Sequence, residues 1–396
     1  MLGPPALFHI QQALLFLIIR THFDTSGTDA ETSPSTLLFD ITILQRRGLS
    51  RDSAKIHLFE PLLIHGFSAR VFAIFLDYLE DLIDSHPTSS TFEECGRALG
   101  NLDGSAFDRL VEKVRETVFT VKAWRGENEK DREFVSMCRY LQEVETYLML
   151  RYATRAGDIG MLRWLVDPLC IMFIGSEQWK YAEELLHLRW LLKDETSSLE
   201  LQEAILSGGL VDQKINRHRK KAIDLALKHV NLFYHLDMKT HKNSTHDFMA
   251  TINRVGLTAP YANELRRRFE RDFGCWNDGR HSYKNAVNDI YLLAARLRER
   301  RCTAPRKSIK DKAKQFESPD ILSTGLSRLS EKIDNFNAKF VDLPGRLHDI
   351  EDDEIGDNGV VNPNTEGIAE CEFSVIDDVT LNRVMDGGFG IATFDI

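Results

Sequence analysis

The residues with the clearest chemical signal are three clusters of cations. Arg217, Arg219, Lys220 and Lys221 stand together, Arg266, Arg267, Arg268 and Arg271 share two helical turns, and a third run extends from Arg296 to Lys314 with little acid in it. Dense cations held on a rigid face contact phosphates through charge, without reading base sequence. No aromatic residues are interleaved with them as a base-stacking platform would require. The same clusters also fit a solvated surface, or a face on which acid from elsewhere in the chain docks. That acid is present: Lys214–Lys314 holds 24 Lys/Arg against 10 Asp/Glu, whereas Val341–Ile396 holds 2 against 14.

A second group tempts a metal reading: His229, His235, His241 and His246, with Asp237 and Asp247 between them. Their gaps of six, six and five residues scatter around a helix of 3.6 residues per turn, so they do not form the paired spacing of a zinc site. The run Asp349–Glu354 reads as solvated acid rather than a cation site. The chain has no GxGxxG, GxxxxGK[ST], HExxH or GxSxG. No catalytic residue, no metal and no cofactor are therefore assigned.

The elements that must position these residues are helical. Phe134, Cys138, Leu141, Leu148 and Tyr152 follow a helical period after a polar start, and Tyr181, Leu185, Leu188 and Leu192 repeat it with Trp179 and Trp190 beside them as core. Between them Leu162–Ile174 is apolar but contains Pro168, which predicts a broken, buried hairpin. Ala222–Met238 is apolar all round and is expected to be the buried central helix. Further helices are expected over the segments starting at Ala6, Thr258 and Ser282, ending near Ile19, Gly274 and Arg301, and over Pro319–Phe340. Strand alternation is almost absent. The expectation is an all-α, irregular multi-helix array with little or no strand, comprising a domain over 1–340, divisible near 125, and a disordered acidic tail over 341–396.

Six cysteines without a CxxC pair, and no secretory start, fit reduced thiols in nucleus or cytoplasm. The apolar run at Ala6–Ile19 stops short of the ~20 residues a membrane span needs, so no membrane partner is expected.

Several phrases recur together in one family. Gly157-Asp158 before an apolar helix, Trp179-Lys180-Tyr181-Ala182-Glu183-Glu184-Leu185, Leu206-Ser207-Gly208-Gly209-Leu210-Val211, Ile223-Asp224-Leu225, His229-Val230-Asn231 and Pro5-Ala6-Leu7-Phe8-His9 are among them. As a set, over roughly residues 5–340, they resemble the fungal domain-of-unknown-function family 6589, whose expanded copies look like relics of mobile elements. The resemblance marks Asp158, Tyr181, Asp224, His229 and Asn231 as motif residues of unknown role. It also implies an N-terminally truncated member, because longer relatives carry an upstream Gly-Asp-Gln-Leu-Thr-like segment. The family usually has Glu where this chain has Lys228, and an ammonium cannot ligate Mg²⁺. Asp158 is most simply a helix N-cap, and Asn231 a buried hydrogen-bonding group. The leading expectation is a non-catalytic helical protein that touches nucleic acid through phosphates. The alternatives are a metal-dependent transposase- or nuclease-type domain and a protein-interaction scaffold.

Overall fold

A computed structural model describes residues 6–23, 33–46, 48–51, 56–82, 100–125, 131–193, 198–212, 220–228, 268, 286–300, 302–304 and 316–341. Helix accounts for 81% of the described residues and strand for one short hairpin, which places the chain in the all-α class. In chain order the helices are α1 (Leu7–His22), α2 (Leu37–Ile43), α3 (Ile56–Leu82), α4 (Gly104–Val118), α5 (Val121–Arg125), α6 (Arg132–Ala156), α7 (Ile159–Gly175), α8 (Trp179–Lys193) and α9 (Leu199–Ser207). Strands β1 (Leu210–Asp212) and β2 (Lys220–Ala222) follow, then α10 (Ala286–Glu299) and α11 (Ile321–Val341).

Local chemistry sets many of these boundaries. Thr36, Asp103, Asp131, Asp158 and Ser198 each accept a backbone amide three residues on, capping α2, α4, α6, α7 and α9. Between α6 and α7, Gly157 takes the left-handed conformation at φ 70° that closes α6, and Asp158 opens α7 immediately afterwards. The turn is therefore one residue of each kind.

Helices α6 and α7 form the centre. Helix α6 pairs antiparallel with α1: Gln11 donates to Thr154 at one end, and His22 lies 3.0 Å from Glu143 at the other. Phe134, Cys138 and Leu141 are buried as their spacing predicts, whereas Tyr152 is exposed. Helix α7 corrects the sequence reading, because it runs unbroken through Pro168. A proline inside a helix costs ~3 kcal/mol through the lost N–H bond and ring clash, and each fully buried large apolar side chain returns ~1.5–3 kcal/mol. Leu162, Leu165, Val166 and the whole run Leu169–Ile174 are buried around it, which outweighs the break. On α8, Leu185, Leu188 and Leu192 are core, but Trp179 and Trp190 stay 37% and 36% exposed. Their indole rings extend past the stripe that the leucines define.

The expected central helix at Ala222–Met238 is described only over 222–228. Ala222 is buried there, but the helical segment 223–228 is half-buried and Leu227 is exposed. The remainder of that helix, the 258–274 helix apart from residue 268, and residues 342–396 lie outside the described residues.

Among the described residues one helix, α3, is long and apolar enough over Leu58–Leu79 to cross a membrane by length and composition. It also carries a fully buried charge. Arg70 donates to Asp40 through both terminal nitrogens, at 2.8 and 3.0 Å, and to the carbonyls of Gly66 and Pro34. Its guanidinium lies 4.5 Å from the centre of the Tyr140 ring. An adjacent stripe of α3 packs on α10 through Ala69, Ala73, Leu293, Ala294 and Leu297.

Helix α11 covers α7. Its start is fixed by Asp320, which accepts the Ser323 amide, the Trp124 indole at 2.6 Å and the Arg139 guanidinium at 3.3 Å. The two helices touch backbone to backbone: a Cβ added to Gly325 would stand 2.0 Å from the Ile171 carbonyl oxygen, and one added to Gly175 closer still to that of Ile321. Gly325→Ala should therefore cost about 1–3 kcal/mol through overpacking, whereas Gly104→Ala, with open space around it, should leave stability equal or higher. Urea denaturation of the two variants checks this, and equal midpoints would contradict the close approach.

Burial pushes the Glu145 carboxyl up to about 8 from its ordinary 4.5, and its Oε2 has no partner among the described residues. A raised carboxyl contributes stability below its unfolded value and loses it as pH climbs through the folded value. Glu145→Gln should therefore gain stability relative to the parent between pH 5 and 8. Thermal melts at the two ends of that window decide, and an equal offset at both would contradict the assignment.

Candidate functional site

Helix α1 begins at Ala6, a residue with no side-chain oxygen and no side-chain capping bond. Its first amides are satisfied from far along the chain. Asp224, in the segment 223–228, accepts the Phe8 amide at 3.1 Å and the His9 amide at 3.0 Å. It also lies 2.8 Å from His9 Nδ1. Phe8 and His9 of one motif phrase and Asp224 of another thus meet as one unit. A carboxylate on exposed helix amides also complements the positive end of the helix dipole.

The pairing fixes the chemistry of His9. A carboxylate only accepts, so Nδ1 carries the proton and Nε2 keeps the lone pair in the neutral ring. The His9 side chain is 39% exposed and Asp224 13%, so the histidine is held by the more buried partner. Lys228, one turn after Asp224, places its ammonium 4.6 Å from the Phe8 ring centre and donates to Gln12 Oε1 at 3.3 Å. It braces the first two turns of α1.

The β hairpin reaches the same end of the molecule. Its register pairs Leu210 with Ala222, Val211 with Lys221 and Asp212 with Lys220. The Lys220 stem lies against Gly157, where an added Cβ would stand 2.4 Å from its Cδ. Lys220 therefore crosses the C-terminal end of α6, the end of a helix that favours a cation. Partial burial holds the Lys221 ammonium below its ordinary value. Arg155 is exposed in the last turn of α6. Because α1 and α6 are antiparallel, Arg155, Lys220, Lys221 and Lys228 all collect where α6 ends and α1 begins. None of the four has an ion-pair partner among the described residues, and the local carboxylates of Asp158 and Asp224 serve as helix caps.

Most arginines elsewhere are spent internally. Arg46 pairs with Asp289, Arg139 with Asp320, Arg151 with Glu60, Arg189 with Asp167 and Arg298 with Asp77. Arg296 bonds Glu299 on its own helix. The charge count in the sequence overstated how much of the third basic run is free.

Of the residues singled out from sequence, the structure brings Asp158, Lys220, Lys221 and Asp224 to one end of the molecule. Tyr181 is elsewhere, half-buried on α8 with its ring 5.6 Å from Phe173. Arg268 is helical and exposed. Arg217, Arg219, Arg266, Arg267, Arg271, His229 and Asn231 lie outside the described residues. Sequence reasoning gave His9, Gln12 and Arg155 no role. The signal that existed for His9 was the lack of a capping side chain at Ala6. Among the described residues no group of three or more His, Cys, Asp or Glu gathers to hold a metal.

With this geometry in view, comparison with known proteins gives one positive result. The family of unknown function DUF6589 matches residues 1–281, and the chain belongs to that family. Helices α10 and α11 lie past the matched residues, although α11 packs directly on α7 within them. No curated protein and no solved structure matches the chain.

The long-range cap makes a direct prediction. Asp224→Ala should cost about 1–2 kcal/mol and speed amide exchange at Phe8 and His9, while Asp224→Asn keeps part of the bond. Denaturant titration with hydrogen exchange checks it, and unchanged protection at those two amides would contradict it.

Proposed function

We propose that this DUF6589 member is a non-catalytic helical protein that contacts nucleic-acid phosphates through the cations gathered where α6 ends and α1 begins. The observation that carries the reading is the gathering of Arg155, Lys220, Lys221 and Lys228 near the end of α6 and the start of α1, with no ion-pair partner among the described residues, whereas Arg70, Arg139 and Arg189 are consumed by carboxylates in the core. A phosphate backbone supplies the matching charge, and a surface braced by helix caps holds its register.

The proposal extends to origin and place. The motif set resembles copies of a fungal, mobile-element-associated family, which suits a protein that retains affinity for nucleic acid without cutting it, working in nucleus or cytoplasm. Lys228 supports the non-catalytic half of the reading. It puts an ammonium against Phe8 and Gln12 at the start of α1, where the family pattern places a carboxylate.

Binding of this kind is weak, indifferent to sequence and driven by counterion release. Four phosphate contacts give a log–log salt slope of about −3.6 on duplex DNA. Fluorescence anisotropy with two unrelated 20-bp duplexes should show equal affinities and a slope near that value. Lys221→Ala with Lys228→Ala should reduce the slope by about two. A strong preference for one duplex, or a slope unaffected by the double change, would overturn the proposal.

A further inference from the structure

We infer that this end of the molecule takes single-stranded nucleic acid, with a base stacked on the Tyr152 ring while neighbouring phosphates lie on Arg155, Lys220, Lys221 and Lys228. The inference rests on the phosphate contact proposed above and adds the class of strand.

Stacking needs a ring that reaches solvent beside the cations. Among the described residues the exposed aromatic side chains are Phe107 on α4, Tyr152 on α6, and Trp179 and Trp190 on α8. Tyr152, 41% exposed, shares its helix with one of the four cations. It precedes Arg155 by three residues, a spacing that sets two side chains next to each other on a helix surface, and Arg155 is exposed as well. Gly157, against which the Lys220 stem lies, follows Tyr152 by about 7.5 Å along the axis at ~1.5 Å per residue. Between them in the chain, Thr154 accepts from Gln11 of α1, and Lys228 donates to Gln12. Ring and cations therefore flank one helix end.

The other ring at this end is already occupied. Lys228 stands 4.6 Å from the centre of Phe8, and His9 meets Phe8 in a T-shaped contact at 5.9 Å. The carboxylates nearest in the fold are engaged too: Glu60 accepts from Tyr147 and pairs with Arg151, the residue before Tyr152, and Asp158 caps α7.

Every base has a π-face, so a stacked tyrosine adds affinity without reading sequence, but it needs a base that is not paired within a duplex. Charge acts the other way, since each phosphate contact releases more counterion from a duplex than from a single strand. A gain that depends on unpaired bases thus reports the ring and not the cations.

Fluorescence anisotropy of the full chain with an oligothymidine strand, an abasic strand of the same length and a duplex separates the two contributions. Oligothymidine should bind about tenfold tighter than the abasic strand. Both single strands should give a log–log salt slope of about −2.8 for four phosphate contacts. Tyr152→Ala should erase the difference between the two strands and leave duplex affinity and all slopes unchanged, while Tyr152→Phe, which keeps a ring, should retain it. Equal binding of the two strands by the parent, or a Tyr152→Ala loss that is the same on all three probes, would overturn the stacking and leave the phosphate contact standing. No binding of any probe at low salt would overturn the phosphate contact and the inference with it.

Discussion

Helix α1 starts without a cap of its own, and the carboxylate that satisfies its first amides comes from Asp224, more than two hundred residues later in the chain. Much of the candidate site follows from that one constraint. Asp224 fixes where the segment 223–228 lies, so Lys228 falls across Phe8 and reaches Gln12. The hairpin that leads into this segment is held beside the end of α6, and Lys220 comes to rest on Gly157. Remove the cap and α1 frays at its buried start, while the two motif phrases lose the contact that makes them one feature. A long-range cap is a costly way to start a helix, since it works only after the chain has closed a very large loop.

The core consumes charge of its own. Arg70 is sealed inside with Asp40, and His22 faces Glu143 with both side chains fully buried. A buried charge is tolerated only when paired and hydrogen-bonded, and breaking such a pair costs ~3–5 kcal/mol because the remaining partner stays buried. These networks join α1, α2, α3 and α6. The face left over is defined by subtraction as much as by construction.

What was legible in the sequence follows the physics of local pattern. The helical period around Phe134, Leu185 and Leu329 located α6, α8 and α11, and Asp158 after Gly157 read correctly as a cap because both signals lie within one turn of chain. The break expected at Pro168 failed because the apolar run on both sides buries enough surface to carry the helix through. The tryptophans at 179 and 190 failed differently, since type alone does not say which side of a leucine stripe a ring will extend from. Of the Asp224–His9 contact only the missing cap at Ala6 was legible: it shows that α1 needs an acceptor from outside, but nothing in either phrase points to the other.

The most direct test of the account is a map of amide chemical-shift changes when a short DNA duplex is titrated into the full chain at low salt. The account predicts changes confined to the first turns of α1, the β2 strand, the segment 223–228 and the last turn of α6, with Phe8, His9, Lys221 and Lys228 among the largest. Changes centred on α10, or none at any of those positions, would contradict it.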